Sequence, residues 1–132
     1  MPERADADAW LRFAQQDLAA ARVLLTEAEL PARLSCFHAQ QAAEKAMKAH
    51  LVRLGIAFRR THDLVVLAAL LPDDVQRQLE RVDLQVLQQW AVEARYPAEL
   101  PESSKDDAIA ALTVASLVVD VVVAARSPDE KP

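Results

Sequence analysis

The stretch Phe37-His38-Ala39-Gln40-Gln41-Ala42-Ala43-Glu44-Lys45-Ala46-Met47-Lys48-Ala49 decides the fold of this 132-residue chain. Its alanines are typical of a buried helix that packs closely against its neighbours, yet polar side chains interrupt them. At about 100° per residue, His38, Gln41, Lys45 and Lys48 fall within roughly 80° of arc on one helix face. We call these four residues the polar stripe. An ordinary amphipathic helix also turns a polar face to water, so the polar stripe alone does not define a site.

The polar stripe lies within a helix predicted over 32–54. This helix ends at Gly55, the one glycine of the chain, in the position where a glycine typically terminates a helix. A first helix is predicted over 7–29, because its apolar residues recur at the helical spacing. Asp6 or Asp8 would cap its start, and Pro31 would end it.

The second half of the chain predicts further helices with short connections. Thr61 is expected to cap a third helix that extends to Leu71, with Asp63 in its first turn. Pro72-Asp73-Asp74 is expected to restart a helix with Pro72 in its first turn, and the segment 73–94 is expected to form either one bent helix or two short ones.

A last helix is predicted over about 105–126, with Ser103 or Ser104 as its cap. Its apolar run favours a core helix that is buried on most sides. The alternative is a membrane anchor, and Asp120 opposes it because an acid is costly inside a bilayer. Residues 127–132 are expected to be a disordered tail. The fold class is therefore all-α: an antiparallel up-and-down bundle of about five helices, with residues 1–126 as a single domain.

Charge and cysteine content restrict the function. The net charge of −5 argues against indiscriminate nucleic-acid binding by the whole surface. From Lys45 to His62, however, there are five cations and no acid. This segment suits either a solvated helix face with a basic loop or a site for an anionic ligand or acidic partner. A lone cysteine, Cys36, cannot form an internal disulfide, which fits a reducing cytosol. We expect a cytoplasmic protein and, from the interpretation of the last helix, no membrane association.

Several kinds of site are excluded by the motifs. One glycine cannot build a phosphate-binding glycine loop. Cys36 and His38 are two positions apart on a helix and therefore diverge, so neither a zinc site nor a cysteine nucleophile is expected there. We predict no metal and no cofactor.

Three segments remain as candidates: the polar stripe, Arg60-Thr61-His62-Asp63-Leu64, and Ala94-Arg95-Tyr96-Pro97. Each has a structural interpretation, since His38 could be a packed histidine and His62 a first-turn residue. Arg95 could interact with the last carbonyls of a helix. Individually, none of the three indicates a function.

Together, in this order, the three segments resemble the HEPN domain family, whose name abbreviates higher eukaryotes and prokaryotes nucleotide-binding. The predicted first helix, with Asp17-Leu18 and Ala21, also fits, so the resemblance covers residues from about 8 to 126. It implies an all-helical bundle that commonly forms dimers. It also implies a frequent partnership with a small nucleotidyltransferase.

Some HEPN proteins are metal-independent RNases of toxin–antitoxin systems, and they carry an Arg followed by four to six residues and a His near the start of a late helix. Here no histidine follows Arg95, and the only pair with that spacing is Arg33 and His38, on the second helix. We therefore expect the resemblance to extend to binding more readily than to catalysis.

The leading hypothesis is a non-catalytic dimeric module that binds a nucleotide or another anion, or that partners a nucleotidyltransferase. Its predicted ligand-binding residues are listed together: His38, Gln41, Lys45, Lys48, His62 and Arg95. One alternative is an RNase toxin that acts on RNA through His38, His62 and Arg95. Another is a purely structural protein in which the polar stripe is a dimer seam.

Overall fold

The computed structural model describes residues 4–91 and 102–126. This part of the chain contains six helices and no strand: α1 (Arg4–Leu25), α2 (Ala32–Leu54), α3 (Leu64–Ala69), α4 (Asp73–Leu79), α5 (Gln85–Gln88) and α6 (Lys105–Ala124). The predicted all-helical bundle is confirmed. The predicted bounds of the second helix are those of α2.

Helices α1 and α2 form an antiparallel hairpin that supplies much of the core. Near the turn, the Ser35 hydroxyl donates to the Ala21 carbonyl over 2.7 Å. At the far end, the Arg53 guanidinium donates to Asp8 over 2.9 Å. Alanines on the facing sides of both helices are fully buried, which lets the two backbones approach closely and places polar side chains of α2 beside α1.

The ends of this hairpin differ in how well the sequence predicts them. Gly55 terminates α2 with a φ of 70°, in the left-handed region that a glycine adopts without steric cost. The prediction for the start of α1 is wrong: the helix begins at Arg4, so Asp6 and Asp8 lie within it. It also ends earlier than predicted, at Leu25, since the chain then makes tight turns in which the Thr26 hydroxyl donates to a backbone carbonyl.

The start of α3 corrects a second prediction, because Asp63 and not Thr61 is its cap. The Asp63 carboxylate accepts hydrogen bonds from the backbone of Val65 and Val66, at 2.9 and 3.3 Å. The Thr61 hydroxyl accepts instead from the Asp63 backbone N–H at 3.0 Å. A carboxylate is the stronger acceptor and also suits the positive end of the helix dipole.

The segment after Pro72 forms two short helices, α4 and α5, instead of one bent helix. Pro72 is the cap that precedes α4 and not a residue of its first turn, with extended backbone angles. Leu79, Leu87 and Trp90 are buried and pack into the same core.

Helix α6 completes the core. Ser104 caps it, and its hydroxyl and the Asp107 side chain bond reciprocally to each other's backbone N–H groups at 3.1 and 2.9 Å. Among the described helices, α6 is the one that is long and apolar enough to cross a membrane by length and composition. In this fold it packs on α2 as a core helix, but only 44% of its apolar stretch is buried and Ile109 on its outer side is 46% exposed, so the prediction that it is buried on most sides is wrong.

Candidate functional site

Two carboxylates organise the polar side chains of the α1–α2 hairpin. The first is Asp17 of α1, 14% exposed, which accepts from His38 Nδ1 at 3.0 Å and from Lys45 Nζ at 2.6 Å. His38 and Lys45 are 33% and 28% exposed, so solvent reaches both. We call Asp17, His38 and Lys45 the Asp17 cluster.

The second carboxylate is Glu44 of α2, whose side chain is 4% exposed. It accepts hydrogen bonds from Gln40 Nε2 at 3.1 Å, from Lys48 Nζ at 3.0 Å and from His62 Nδ1 at 3.0 Å. The loop before α3 therefore reaches α2 through His62. We call Gln40, Glu44, Lys48 and His62 the Glu44 cluster.

The Glu44 cluster makes further contacts through Lys48 and through Gln41. The Lys48 ammonium lies 5.8 Å from the centre of the Trp10 ring and 6.0 Å from that of the Phe58 ring. Such contacts with aromatic rings stabilise a cation that burial removes from water. Gln41 Nε2 donates to Gln40 Oε1 over 2.7 Å. Gln41, one of the predicted ligand-binding residues, is therefore linked to the Glu44 cluster.

Five of the six predicted ligand-binding residues are thus held by two neighbouring clusters. His38 and Lys45 share Asp17, while Lys48 and His62 share Glu44 and Gln41 is linked to them. The sixth, Arg95, lies outside the described residues, as do Tyr96, Pro97 and the predicted tail.

Most of the positive charge of the basic segment 45–62 is neutralised by acids elsewhere in the fold. Three of its five cations are paired with carboxylates: Lys45 with Asp17, Lys48 with Glu44, and Arg53 with Asp8. The other two, Arg59 and Arg60, lie exposed in the loop that leads to His62. Positive charge available to a ligand therefore concentrates on this loop and on the half-buried Lys45.

Sequence reasoning missed the two carboxylates themselves. Glu44 precedes Lys48 by four residues, which is the favoured orientation of an ion pair on a helix. Asp17 could have been found from the hairpin, because an antiparallel partner that turns near Pro31 faces the middle of α2. Both acids lie in the segments that carry the family resemblance, but neither belongs to the polar stripe.

The carboxylates determine which nitrogen of each histidine ring carries a hydrogen atom. An ionised carboxylate can only accept, so the Nδ1 atoms of His38 and His62 carry hydrogen and donate. When either ring is neutral, its Nε2 is consequently the basic atom. Both histidines are about one-third exposed, at 33% and 37%, so solvent reaches each ring.

Other chemistries receive no support from the described residues. Cys36 is buried, and desolvation, aided by the negative charge of Asp107, raises the pKa of its thiol to about 11. A thiol of this kind is a poor nucleophile. Within residues 4–91 and 102–126, no three His, Cys, Asp or Glu side chains are grouped so that they could hold a metal ion.

The Arg33–His38 pair does not form the RNase arrangement within one chain. Both residues belong to the continuous helix α2, and five positions correspond to about 140° of rotation around its axis. The two side chains therefore leave the helix in diverging directions.

The fold and site define a class of protein: a small helical bundle whose longest helix carries a network of histidine, lysine and carboxylate side chains. Comparison with known protein families identifies this class. The sequence model of the HEPN domain family matches residues 7–126, so the chain belongs to the HEPN family.

Individual relatives agree with this assignment. The Methanocaldococcus jannaschii protein named "Putative toxin MJ1304" is 31% identical over 128 residues, which cover 86% of this chain and 83% of that protein. The crystal structure of TT1696 from Thermus thermophilus is similar with a TM-score of 0.70 and 27% identity, and 89% of this chain and 96% of that one are covered. The structure of ST0689, an archaeal HEPN homologue, has the same fold, with a TM-score of 0.61 and 24% identity over 89% of this chain and 95% of that one.

Proposed function

We propose that this protein is a dimeric HEPN module that binds a phosphate-bearing ligand, such as a nucleotide, at the Asp17 and Glu44 clusters without transforming it. The observation that carries the proposal is the pair of histidines, each fixed through Nδ1 by a carboxylate and each partly exposed. Charge-assisted hydrogen bonds from protonated histidine and from lysine are strong contacts for phosphate oxygens.

The two clusters have different roles in the proposed binding. Lys45 is partly exposed and can exchange its Asp17 partner for a phosphate, whereas Lys48 is buried against Glu44 and positions the network. The exposed Arg60 and Arg59 lie two and three residues before His62, so they add positive charge to the loop that reaches the Glu44 cluster. Gln41 supplies a neutral donor and acceptor that would orient a ligand.

Calorimetry with a panel of nucleoside mono-, di- and triphosphates and with pyrophosphate tests the proposal. We expect binding to the wild type, and at least a tenfold loss of affinity in His38→Ala, in His62→Ala and in Lys45→Ala. The matched control is Lys105→Ala, an exposed lysine at the start of α6 with no place in either cluster. The absence of heat with every ligand would overturn the proposal.

The proposed dimer and its nucleotidyltransferase partner are tested separately. Light scattering should give twice the mass of the 14.6 kDa chain. Co-expression with a nucleotidyltransferase encoded beside this protein should yield a complex. If Lys45→Ala with Lys48→Ala instead separates the subunits and no ligand binds, the polar stripe is a structural dimer seam.

A second function, a metal-independent RNase toxin, is favoured by one observation: His38 and Lys45 share the Asp17 carboxylate. His38 Nε2 would take the proton of a ribose 2′-hydroxyl, and the 2′ oxygen would then form a bond to the adjacent phosphorus. The bond from phosphorus to the 5′ oxygen would break, and that oxygen would receive a proton from an acid such as protonated His62. Lys45 would stabilise the charge that develops on the phosphate. The similarity to a protein named as a toxin supports this candidate.

RNA incubated with an excess of protein in the presence of EDTA distinguishes the two functions. An RNase cleaves the RNA, leaves 2′,3′-cyclic phosphate ends, and loses activity in His38→Ala. Intact RNA together with measurable nucleotide affinity supports the binding module.

A further inference from the structure

An open groove of about 360 Å³ lies between α3, α4 and the turn that leads into α5, and we call it the α3–α5 groove. The side chains that define it are Val65, Ala68 and Ala69 of α3, Leu79 and Glu80 at the end of α4, and Asp83 before α5. The described residues that line it include no lysine, arginine or histidine. The groove therefore offers apolar surface together with two acids.

Hydrogen bonds hold the walls of the α3–α5 groove in place. Gln76 Nε2 donates to the carbonyl oxygens of Ala69 and Leu71, at 3.2 and 2.7 Å, and so joins α4 to the end of α3. Gln88 Oε1 accepts from the backbone N–H of Leu64 at 2.9 Å and joins the end of α5 to the start of α3. A groove whose walls are fixed in advance loses little conformational entropy when it is filled.

A complementary surface occurs on the same chain, where α2 ends and the next loop begins. Arg59 and Arg60 are exposed there, and the apolar Leu54 is 46% exposed. We call residues 54–60 the arginine loop, and it contains no acid. In the α3–α5 groove, the apolar Val65 is 45% exposed. One surface thus combines apolar groups with two cations, and the other combines apolar groups with two acids.

These opposite charges do not meet within one chain. The ion pairs of residues 4–91 and 102–126 include none of the four charged side chains, which are those of Arg59, Arg60, Glu80 and Asp83. Two further arginines, Arg77 and Arg81, are close to Glu80 in sequence but do not line the groove. Arg81 Nε donates instead to a backbone carbonyl of α4 at 3.2 Å. The acids of the groove therefore remain available to cations from another molecule.

The two surfaces are neighbours on the protein. Arg60 and Val65 are five residues apart in the sequence, so their Cα atoms are separated by at most about 17 Å. A contact in which surface A binds surface B, and surface B binds surface A, closes around a two-fold axis and joins only two copies. Neighbouring surfaces of complementary charge meet this requirement.

We propose that a second copy of this chain covers the α3–α5 groove, and that the arginine loop of each copy binds in the groove of the other. This inference rests on the proposed dimer and names its contact surfaces. It places the dimer contact on α3–α5 and the arginine loop, and not on the polar stripe. Arg59 and Arg60 then serve the dimer, which leaves His38, Lys45 and His62 as the donors for a ligand.

Charge reversal on each surface, followed by analytical ultracentrifugation, tests the pairing. Glu80→Arg with Asp83→Arg should weaken the dimer at least about tenfold, because like charges then face each other. Arg59→Glu with Arg60→Glu should weaken it as much for the same reason. An equimolar mixture of the two double variants should regain the affinity of the wild type, since the reversed charges are again complementary at both contacts.

The matched control is Glu29→Arg with Asp120→Arg, which makes the same change in net charge at two exposed acids outside the groove. It should leave the dimer affinity within about twofold of the wild type. If circular dichroism shows that a reversed variant has unfolded, Glu80→Gln with Asp83→Asn replaces it. This neutral pair should weaken the dimer about threefold to thirtyfold.

The failures of the two proposals are distinguishable. A dimer that survives either reversal, or an equal loss in the control, would overturn the pairing and leave the proposed dimer standing. Folded variants whose mixture stays monomeric would also overturn the pairing. A wild type that sediments as one chain would overturn both.

Discussion

The Asp17 and Glu44 clusters have the same chemistry in different surroundings. Each joins one carboxylate, one histidine and one lysine over distances of 2.6 to 3.0 Å. Glu44 and Lys48 are 4% and 9% exposed, however, whereas Lys45 and His38 are 28% and 33% exposed. Burial of the carboxylate and of the lysine therefore separates the two clusters, whereas the two histidines are similarly exposed, at 33% for His38 and 37% for His62.

This difference decides what each cluster can do. A buried ion pair has lost its hydration, so removal of one partner leaves the other charge uncompensated. A partly exposed pair can part and be solvated, at a cost close to zero. The Glu44 cluster is thus expected to hold the α2–α3 region together, and the Asp17 cluster is free to exchange its internal partners for those of a ligand.

The largest effect is predicted for Glu44→Ala. The substitution leaves the Lys48 ammonium buried without its carboxylate and removes the acceptor of Gln40 and His62. We expect the free energy of unfolding to fall by about 3–5 kcal/mol, measured by urea denaturation. Glu44→Gln, which keeps the shape and one acceptor oxygen, should lose less. A loss below about 1 kcal/mol in Glu44→Ala would contradict the assigned difference between the clusters.

The accessibility of Cys36 provides a second comparison. This thiol is fully buried on the core side of α2, so a labelling reagent reaches it only when the bundle opens. Glu44→Ala should increase the labelling rate at pH 8 by about a hundredfold, the factor that corresponds to about 3 kcal/mol. Asp17→Asn should change the rate by less than about fivefold. Equal increases in both variants would show that the clusters support the fold equally.

A third test is the pH dependence of stability that arises from Cys36. Its thiol is buried near the negative charge of Asp107. Burial and Asp107 raise the pKa of the thiol from 9.0 to about 11. In the unfolded chain the thiol ionises first, so its contribution to stability is complete below pH 9 and is lost as the pH rises toward 11. We expect the free energy of unfolding of the wild type to decrease over this range relative to Cys36→Ala. Parallel pH profiles for the two proteins would contradict this assignment.

These comparisons also show how far the sequence predicts the molecule. The bounds of α2 follow from Gly55 and from the helical run after Pro31, because a proline and a left-handed glycine act locally. The cap at Asp63 does not follow from the sequence pattern because Thr61 and Asp63 are both acceptors for nearby backbone N–H groups, and the carboxylate bonds those of α3. The early end of α1 does not follow because its apolar periodicity continues past Leu25, where the chain makes tight turns.

The site was also predicted only in part. Helical spacing alone places His38, Gln41, Lys45 and Lys48 on one face. Which of them meets Asp17 and which meets Glu44 depends on the register between α1 and α2 and on the path of the loop that carries His62. Whether a given lysine is buried or half exposed depends on Trp10 and Phe58, which come from two other parts of the chain.

A smaller effect is predicted for Asp17→Asn. Both donors of this cluster are partly hydrated, so we expect a loss of only about 0.5–1 kcal/mol in the free energy of unfolding. Ligand affinity should change more than stability, because the substitution frees Lys45 and no longer fixes the tautomer of His38. Denaturation and calorimetry on the same preparation measure both quantities, and a loss of stability as large as that of Glu44→Ala would contradict the comparison.

The smallest predicted effect is that of salt. At 0.5 M NaCl, counter-ions screen charges that solvent reaches, whereas a buried pair is screened much less. The stability difference between the wild type and Asp17→Asn should therefore shrink to within about 0.3 kcal/mol, while the difference for Glu44→Ala persists almost unchanged. Urea denaturation of the three proteins at 0.05 and 0.5 M NaCl measures both differences. If the Glu44→Ala difference shrinks in the same proportion as that of Asp17→Asn, then water reaches Lys48, and burial is not what distinguishes the two clusters.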